Sequence, residues 1–255
     1  MKLLIDAGNT RIKWALLRGR DWLCSGDLPT GQADRLARDI ADHIARQNPG
    51  TGLHDIQQIW ASNVAGEECA RHIRNIGAGK SGQPYFVVAR KLQCGVRNAY
   101  SNPSQLGSDR WAALIAAWDL VHGECLVVNS GTATTVDALS GQGEFVGGLI
   151  LPGVELMQSS LVAAADQLKS APGEYVRFPL NSADALFSGA IQASCGAIER
   201  QYNLLGDGSA PVILSGGAAQ VLQPCLDQKL SGAPPRIIDN LVLQGLSLMA
   251  QEADC

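Results

Sequence analysis

At 255 residues, 46% of them hydrophobic and 17% charged, the chain can bury a sizeable core and is too apolar to stay disordered. A net charge of −4 with no run of Lys and Arg argues against a nucleic-acid partner, and no apolar run reaches the length of a membrane span. The first residues lead straight into a strand with no signal-peptide pattern, and the seven cysteines form no CxxC pair, so thiols in a reducing cytoplasm are expected and a zinc site is not.

In chain order, residues 1–28 read as a hairpin-like start, with "LLIDAGNTRIKWALL" (3–17) as strand, tight turn, strand. Leu36, Ile40 and Ile44, four apart, predict a helix over 36–47. A strand follows at 56–64, a helix ending in glycine at 69–79, and a strand at 84–89. The polar, turn-rich "NAYSNPSQLGSDR" (98–110) leads into an apolar helix over 111–121. There Trp111, Leu114, Ile115, Trp118 and Val121 form a stripe suited to a core or to a homodimer interface. "CLVVNSGTATTVDAL" (125–139) then repeats the opening pattern. Strand, turn and helix follow over 144–161, a long helix over 183–203, strand, glycine turn and helix over 211–226, and a short strand and helix over 234–251.

Alternating strands and helices make the class α/β, and the repeated element points to two related halves. The boundary falls near the apolar helix, giving domains 1–115 and 116–255, with the C-terminal helix free to pack back on the first.

Three glycine turns carry phosphate-binding chemistry. Glycine lets backbone N–H groups approach an anion, and hydroxyls and amides add donors. Gly8, Asn9, Thr10 and Arg11 fill the first turn; Ser130, Gly131, Thr132, Thr134 and Thr135 fill the second; Gly216 and Gly217 follow an apolar strand in the third. Each alone is also an ordinary strand connection. Asp6 would repel phosphates unless a cation such as Mg²⁺ lies between. Neither GxxxxGK[ST] nor a GxGxxG after a strand occurs, which disfavours a P-loop NTPase or a dinucleotide oxidoreductase. In "LGSDR", Asp109 and Arg110 stand at a helix start. Asp109 reads either as a capping carboxylate or as a base for a substrate hydroxyl, and Arg110 as an anchor for a substrate carboxylate.

With these residues assembled, nearly the whole chain resembles the type III pantothenate kinases of the acetate and sugar kinase/Hsp70/actin superfamily. "DAGNTRIKWALL" resembles their first phosphate motif, "NAYSNPSQLGSDRWAAL" the pantothenate motif, "NSGTATTVDAL" the second phosphate motif and "GGLILPG" the turn after it. "NSADALFSG" is similar to a shorter family element, and "LSGGAA" to the adenosine motif. It also resembles proteobacterial Bvg accessory factors. The resemblance implies two ribonuclease-H-like domains with mixed sheets flanked by helices, and ATP in the cleft between them. It implies phosphorylation of pantothenate, the first step of coenzyme A synthesis, by a cytoplasmic homodimer whose pantothenate pocket adjoins the partner chain.

Carried over by motif, Asp109 is the base, and Tyr100, Gly107, Ser108, Arg110 and Ser182 bind pantothenate. Asp6, Gly8, Asn9, Thr10, Arg11, Gly131, Thr132, Thr134, Gly216 and Gly217 serve ATP, with Asp6 holding Mg²⁺ through the phosphates. Two positions depart from the family. Asn129 stands where many members have an Asp linked to K⁺ or NH₄⁺, so the resemblance gives it only a neutral oxygen for that ion. Ser182 replaces a Thr and keeps the hydroxyl. A non-catalytic nucleotide-binding regulator is the alternative; the presence of both Asp6 and Asp109 speaks for the enzyme. Trp14, Trp111 and Trp118 read as core or interface, the four histidines as surface residues, and Asp137 as a solvent-facing or turn-anchoring residue.

Overall fold

β1 (Lys2–Ala7) and β2 (Arg11–Arg18) pair antiparallel from Lys2↔Leu17 to Ala7↔Ile12, joined by the turn at 8–10. β3 (Asp21–Pro29) continues the meander. After α1 (Leu36–Gln47), β4 (Gln58–Asn63) returns to lie parallel to β1 on its other side. α2 (Glu67–Ile76) then leads to β5 (Tyr85–Phe86), parallel to β4. The sheet order is β3-β2-β1-β4-β5. The short hairpin β6 (Leu92–Gln93) and β7 (Val96–Asn98) precedes α3 (Ser108–Val121). The computed structural model describes residues 1–47, 49–76, 82–165, 168–169, 171–206, 208–227, 230 and 234–254.

The plan then recurs. β8 (Cys125–Ser130), β9 (Ala133–Leu139) and β10 (Glu144–Pro152) form an antiparallel meander. α4 (Val154–Ala164) and α5 (Ser182–Tyr202) cross back to β11 (Val212–Ser215), parallel to β8. α6 (Ala219–Asp227) leads to β12 (Arg236–Ile237), parallel to β11. The order β10-β9-β8-β11-β12 and its strand directions match those of the first sheet. α7 (Leu241–Glu252) closes the chain. The chain divides into two compact units, Met1–Ala116 with Asn240–Cys255, and Ala117–Asp239.

Side-chain alternation fixes what each face does. Leu3, Ile5, Ile12, Trp14, Leu16, Ile59 and Ala61 join one buried cluster with Leu36, Ile40 and Ile44 of α1 and Ile73 of α2. The opposite face carries Leu4, Asp6 and Lys13. In the second unit Leu126, Val128, Val136, Val212 and Leu214 pack with Ile191, Cys195 and Ile198 of α5 and Leu222 of α6.

Several local expectations shift. The helix read over 111–121 starts at Ser108, because its first turn is polar and the apolar run lags it. The strand at 84–89 pairs only at Tyr85 and Phe86. The glycines placed at the end of the 69–79 helix, 77 and 79, lie outside the described residues. Trp111, Leu114 and Ile115 have no exposed surface in the single chain, so this part of the α3 stripe has nothing to offer a second copy. His43 is no free surface residue: its ring packs edge-on against Trp14 at 5.3 Å.

Candidate active site

Strand register sets a polar row across the first sheet. Asp6 lies opposite Lys13 on one side and Ser62 on the other, and Lys13 lies opposite Asp27. Paired residues stand on the same face about 4.8 Å apart, so Asp27, Lys13, Asp6 and Ser62 form a line over four strands. At its end, Ser62 shares a hydrogen bond of 2.9 Å with Ser108 in the first turn of α3. Asp109, the next residue, is close enough for its carboxylate to act on Asp6.

Burial pushes the Asp6 carboxyl up to about 7; the Asp109 carboxylate pushes the same way, and the Lys13 ammonium opposes both. A carboxyl driven toward neutrality by a second carboxylate is one that a divalent cation would hold ionised. The donor chemistry beside it fits phosphates. Gly8 N–H bonds the Arg11 carbonyl at 3.0 Å, and Thr30 ties the turn from outside, its hydroxyl donating to the Gly8 carbonyl at 2.6 Å and its N–H to that of Thr10 at 3.0 Å. Asn9, Thr10 and Arg11 are left exposed at the tip. The Arg11 guanidinium is paired with Asp27. Together these residues fit Mg²⁺ carried on nucleotide phosphates.

Gly107, Ser108, Asp109 and Arg110 open α3. The Gly107 carbonyl accepts the first helical bond, from Trp111 N–H at 2.9 Å. The Asp109 carboxylate folds back over Gly107, where an added Cβ would stand 2.6 Å from its Oδ1. The same oxygen accepts from Arg110 N–H at 2.8 Å. Arg110 is buried, and its guanidinium donates to the Tyr100 hydroxyl at 3.3 Å. Tyr100 is placed by Asn98, wholly buried, whose Oδ1 accepts the Tyr100 N–H at 3.0 Å and whose amide donates to the Pro103 carbonyl at 3.2 Å. Tyr100, Gly107, Ser108, Asp109, Arg110 and Asp6 thus share one neighbourhood in the first unit.

In the second unit, Asn129 occupies on β8 the place Asp6 holds on β1, between Thr135 on β9 and Ser215 on β11. Gly131 and Thr132 stand at the exposed tip of their turn. Thr134 points inward, its buried hydroxyl bonded to that of Ser130 at 2.8 Å, so it braces the turn. Gly216 has φ +93°, and Gly217 is exposed beside it. Ser182 opens α5 after the cap Asn181, whose Oδ1 accepts from Asp184 N–H at 2.9 Å. Ser182 lines a largely apolar cavity of about 500 Å³ with Pro152, Met157, Leu161, Leu186 and Ala190. Asp137 is buried and does not face solvent.

Ser62, Thr30, Asp27 and Asn98 are site-shaping residues absent from the sequence reading. Only Asn98, in a turn-rich stretch, carried a signal that could have found it.

The family model for type III pantothenate kinases matches residues 2–204. A type III pantothenate kinase of Nitrosospira multiformis is 47% identical over 98% of this chain and 91% of its own length. One from Aromatoleum aromaticum is 45% identical over 99% and 98%. The chain belongs to the type III pantothenate kinase family.

Solved structures agree on the fold of this family member. A Baf family protein from Campylobacter jejuni superposes with a TM-score of 0.57 at 22% identity, covering 99% of this chain and 98% of that one. The activator of 2-hydroxyisocaproyl-CoA dehydratase from Clostridium difficile, with bound ADPNP, gives 0.54 at 10% identity, covering 99% and 96%. These structures share the fold of the chain, α/β with the same strand plan in both units.

Proposed function

We propose that this chain transfers the γ-phosphoryl group of ATP to the terminal hydroxyl of pantothenate, the opening reaction of coenzyme A synthesis. Family membership supports the substrate class. The observation that carries the chemistry is the pairing of two carboxylates, Asp6 on β1 and Asp109 on α3, with the Ser62–Ser108 bond tying α3 to β4, the strand beside β1.

Asp109 accepts the proton of the pantothenate hydroxyl as its oxygen attacks the γ-phosphorus and the bond to ADP breaks. Arg110 and Tyr100, with Gly107 beside them, hold the pantothenate carboxylate and chain, while Ser108, its hydroxyl bonded to Ser62, shapes the turn beneath them; the fixed fork of Arg110 suits a carboxylate. Family resemblance also assigns a pantothenate role to the Ser182 hydroxyl at the start of α5. Gly8, Asn9, Thr10 and Arg11, and Gly131 and Thr132, offer N–H and side-chain donors to the phosphates, and Thr134 keeps the second turn in shape. Gly216 and Gly217 give the adenosine a flat backbone surface. Asp6 holds the Mg²⁺, which supplies positive charge to the phosphate oxygens when bound.

The active form in this reading is a cytoplasmic homodimer. Support for a dimer lies in the second unit, where Phe178 and Leu180 are 80% and 99% exposed and offer apolar surface that a second copy would cover. Asn129 supplies at most a carbonyl oxygen to a K⁺ or NH₄⁺ ion.

A coupled ATPase assay with and without pantothenate tests the function. Turnover that requires pantothenate is expected. Its absence across Na⁺, K⁺ and NH₄⁺ buffers would overturn the kinase reading and restore the non-catalytic regulator.

A further inference from the structure

Ser62 ends an otherwise apolar stretch of β4, after Ile59, Trp60 and Ala61. It has no exposed surface. A hydroxyl buried there is costly unless bonded, and its partner is 46 residues away, in the first turn of α3. That partner, Ser108, is itself buried. Ser62 also stands directly opposite Asp6 in the parallel pairing of β1 and β4, so the two side chains share a face one strand apart.

α3 does not need this bond to stay attached. Trp111, Leu114 and Ile115 are fully buried, and the Trp111 indole donates to Gln93 at 3.1 Å. α7 passes so close that a Cβ on Gly245 would lie 1.9 Å from the Ala112 carbonyl oxygen. These tethers hold the body of the helix. The Ser62–Ser108 bond runs from the strand beside Asp6 to the turn that carries Asp109.

From this geometry we propose that Ser62 is a positioning residue for phosphoryl transfer. Its hydroxyl sets the offset of the Asp109 carboxylate from Asp6 through Ser108, and touches no substrate itself. The inference rests on the kinase reading above. Phosphoryl transfer is nearly all positioning, and a misplacement of about 1 Å can cost roughly 10²-fold in rate. A tether at this point therefore acts on turnover more than on binding.

The test is a double-mutant cycle of Ser62→Ala and Ser108→Ala, followed by steady-state kinetics and thermal melts. Ser62→Ala should lower kcat by about 10- to 100-fold, leave KM for ATP within about threefold, and move Tm little. The double variant should be no slower than the slower single variant, since both remove one bond. Ser62→Thr, which keeps the hydroxyl, should recover part of the loss. If Ser62→Ala does not fold, Ser108→Ala reads the same bond from the helix side, and its kcat should fall while KM for ATP holds. A kcat within twofold of the unmodified protein, or losses that multiply in the double variant, would overturn the positioning role while leaving the kinase reading intact. An unmodified protein with no pantothenate-dependent turnover would overturn both.

Discussion

Gly216 passes so close to Ser130 that a Cβ built on it would lie 2.4 Å from the Ser130 carbonyl oxygen and 2.8 Å from the Asn129 side-chain oxygen. Its φ of +93° is a conformation that L side chains rarely adopt. Gly216→Ala must strain the backbone and push β11 away from β8. A loss of about 1–3 kcal/mol in stability is expected, with a raised KM for ATP. Urea denaturation and ATP titration measure the two effects; an unchanged midpoint would contradict the close approach.

Asp109→Asn keeps the size of the side chain and its bond from the Arg110 N–H, but cannot take a proton. Turnover should fall by about 10²- to 10⁴-fold while pantothenate still binds. Near-normal kcat would remove Asp109 from the role of base. Loss of binding along with turnover would make it a substrate anchor instead.

Asp6 makes the stability of the unliganded protein depend on pH in an unusual direction. Its carboxyl is raised from the ordinary value near 3.8 to about 7, so between those values the folded chain keeps a proton that the unfolded chain has released. The stability this provides is complete below pH 3.8 and is lost as pH rises through 7. Tm should therefore decline from pH 5 to 8 more steeply than in Asp6→Asn, which stays neutral throughout. Mg·ATP requires the ionised form, so its binding should release a proton near pH 6, and calorimetry in buffers of different ionisation heat reads that release. Parallel Tm slopes in the two proteins would show that Asp6 is not the group responsible.

Asn129 predicts a weak response to K⁺. A neutral amide oxygen gains little from an alkali ion, while a buried carboxylate at the same place would need a compensating charge. Initial rates should change little when K⁺ or NH₄⁺ is added to a Tris buffer, and Asn129→Asp should increase the response. Should the unmodified protein prove strongly activated, the buried Asp137 on the same strand as Thr135 becomes the carboxylate to replace.

Sedimentation at low micromolar concentration should give about twice the chain mass of 26.9 kDa. Phe178→Ser combined with Leu180→Ser should shift the species toward a monomer, because it removes apolar area that is exposed in the single chain. A monomeric unmodified protein that phosphorylates pantothenate would dismiss the dimer.

The repeated strand, turn, strand at 3–17 and 125–139 was legible because apolar strands flank small, polar turn residues, and both copies form as read. α1 was legible from three isoleucine and leucine positions on one face. β3 was harder: it is an edge strand with Gly26 and two aspartates, and only Cys24 and Leu28 turn inward, so its alternation is faint. The β6–β7 hairpin is too short to leave a period. At the site, residues grouped in motifs announced themselves, whereas Ser62 did not. A lone serine in an apolar strand has no pattern, and its meaning comes from a partner 46 positions away.

α7 belongs to the first unit although the whole second unit precedes it in the sequence. It packs on β1 and β4, and Gly245 lets it approach the Ala112 backbone. During synthesis the first sheet must therefore wait for more than a hundred further residues before one of its faces is covered. At about 5–20 residues per second that interval is on the order of ten seconds. The second unit is contiguous and can close in the meantime. The exposed face of the waiting sheet, with Leu4, Ala15 and Leu17 on it, is a natural target for a chaperone on the ribosome, and stop codons introduced before Leu241 should yield aggregates even though every motif of the active site is upstream.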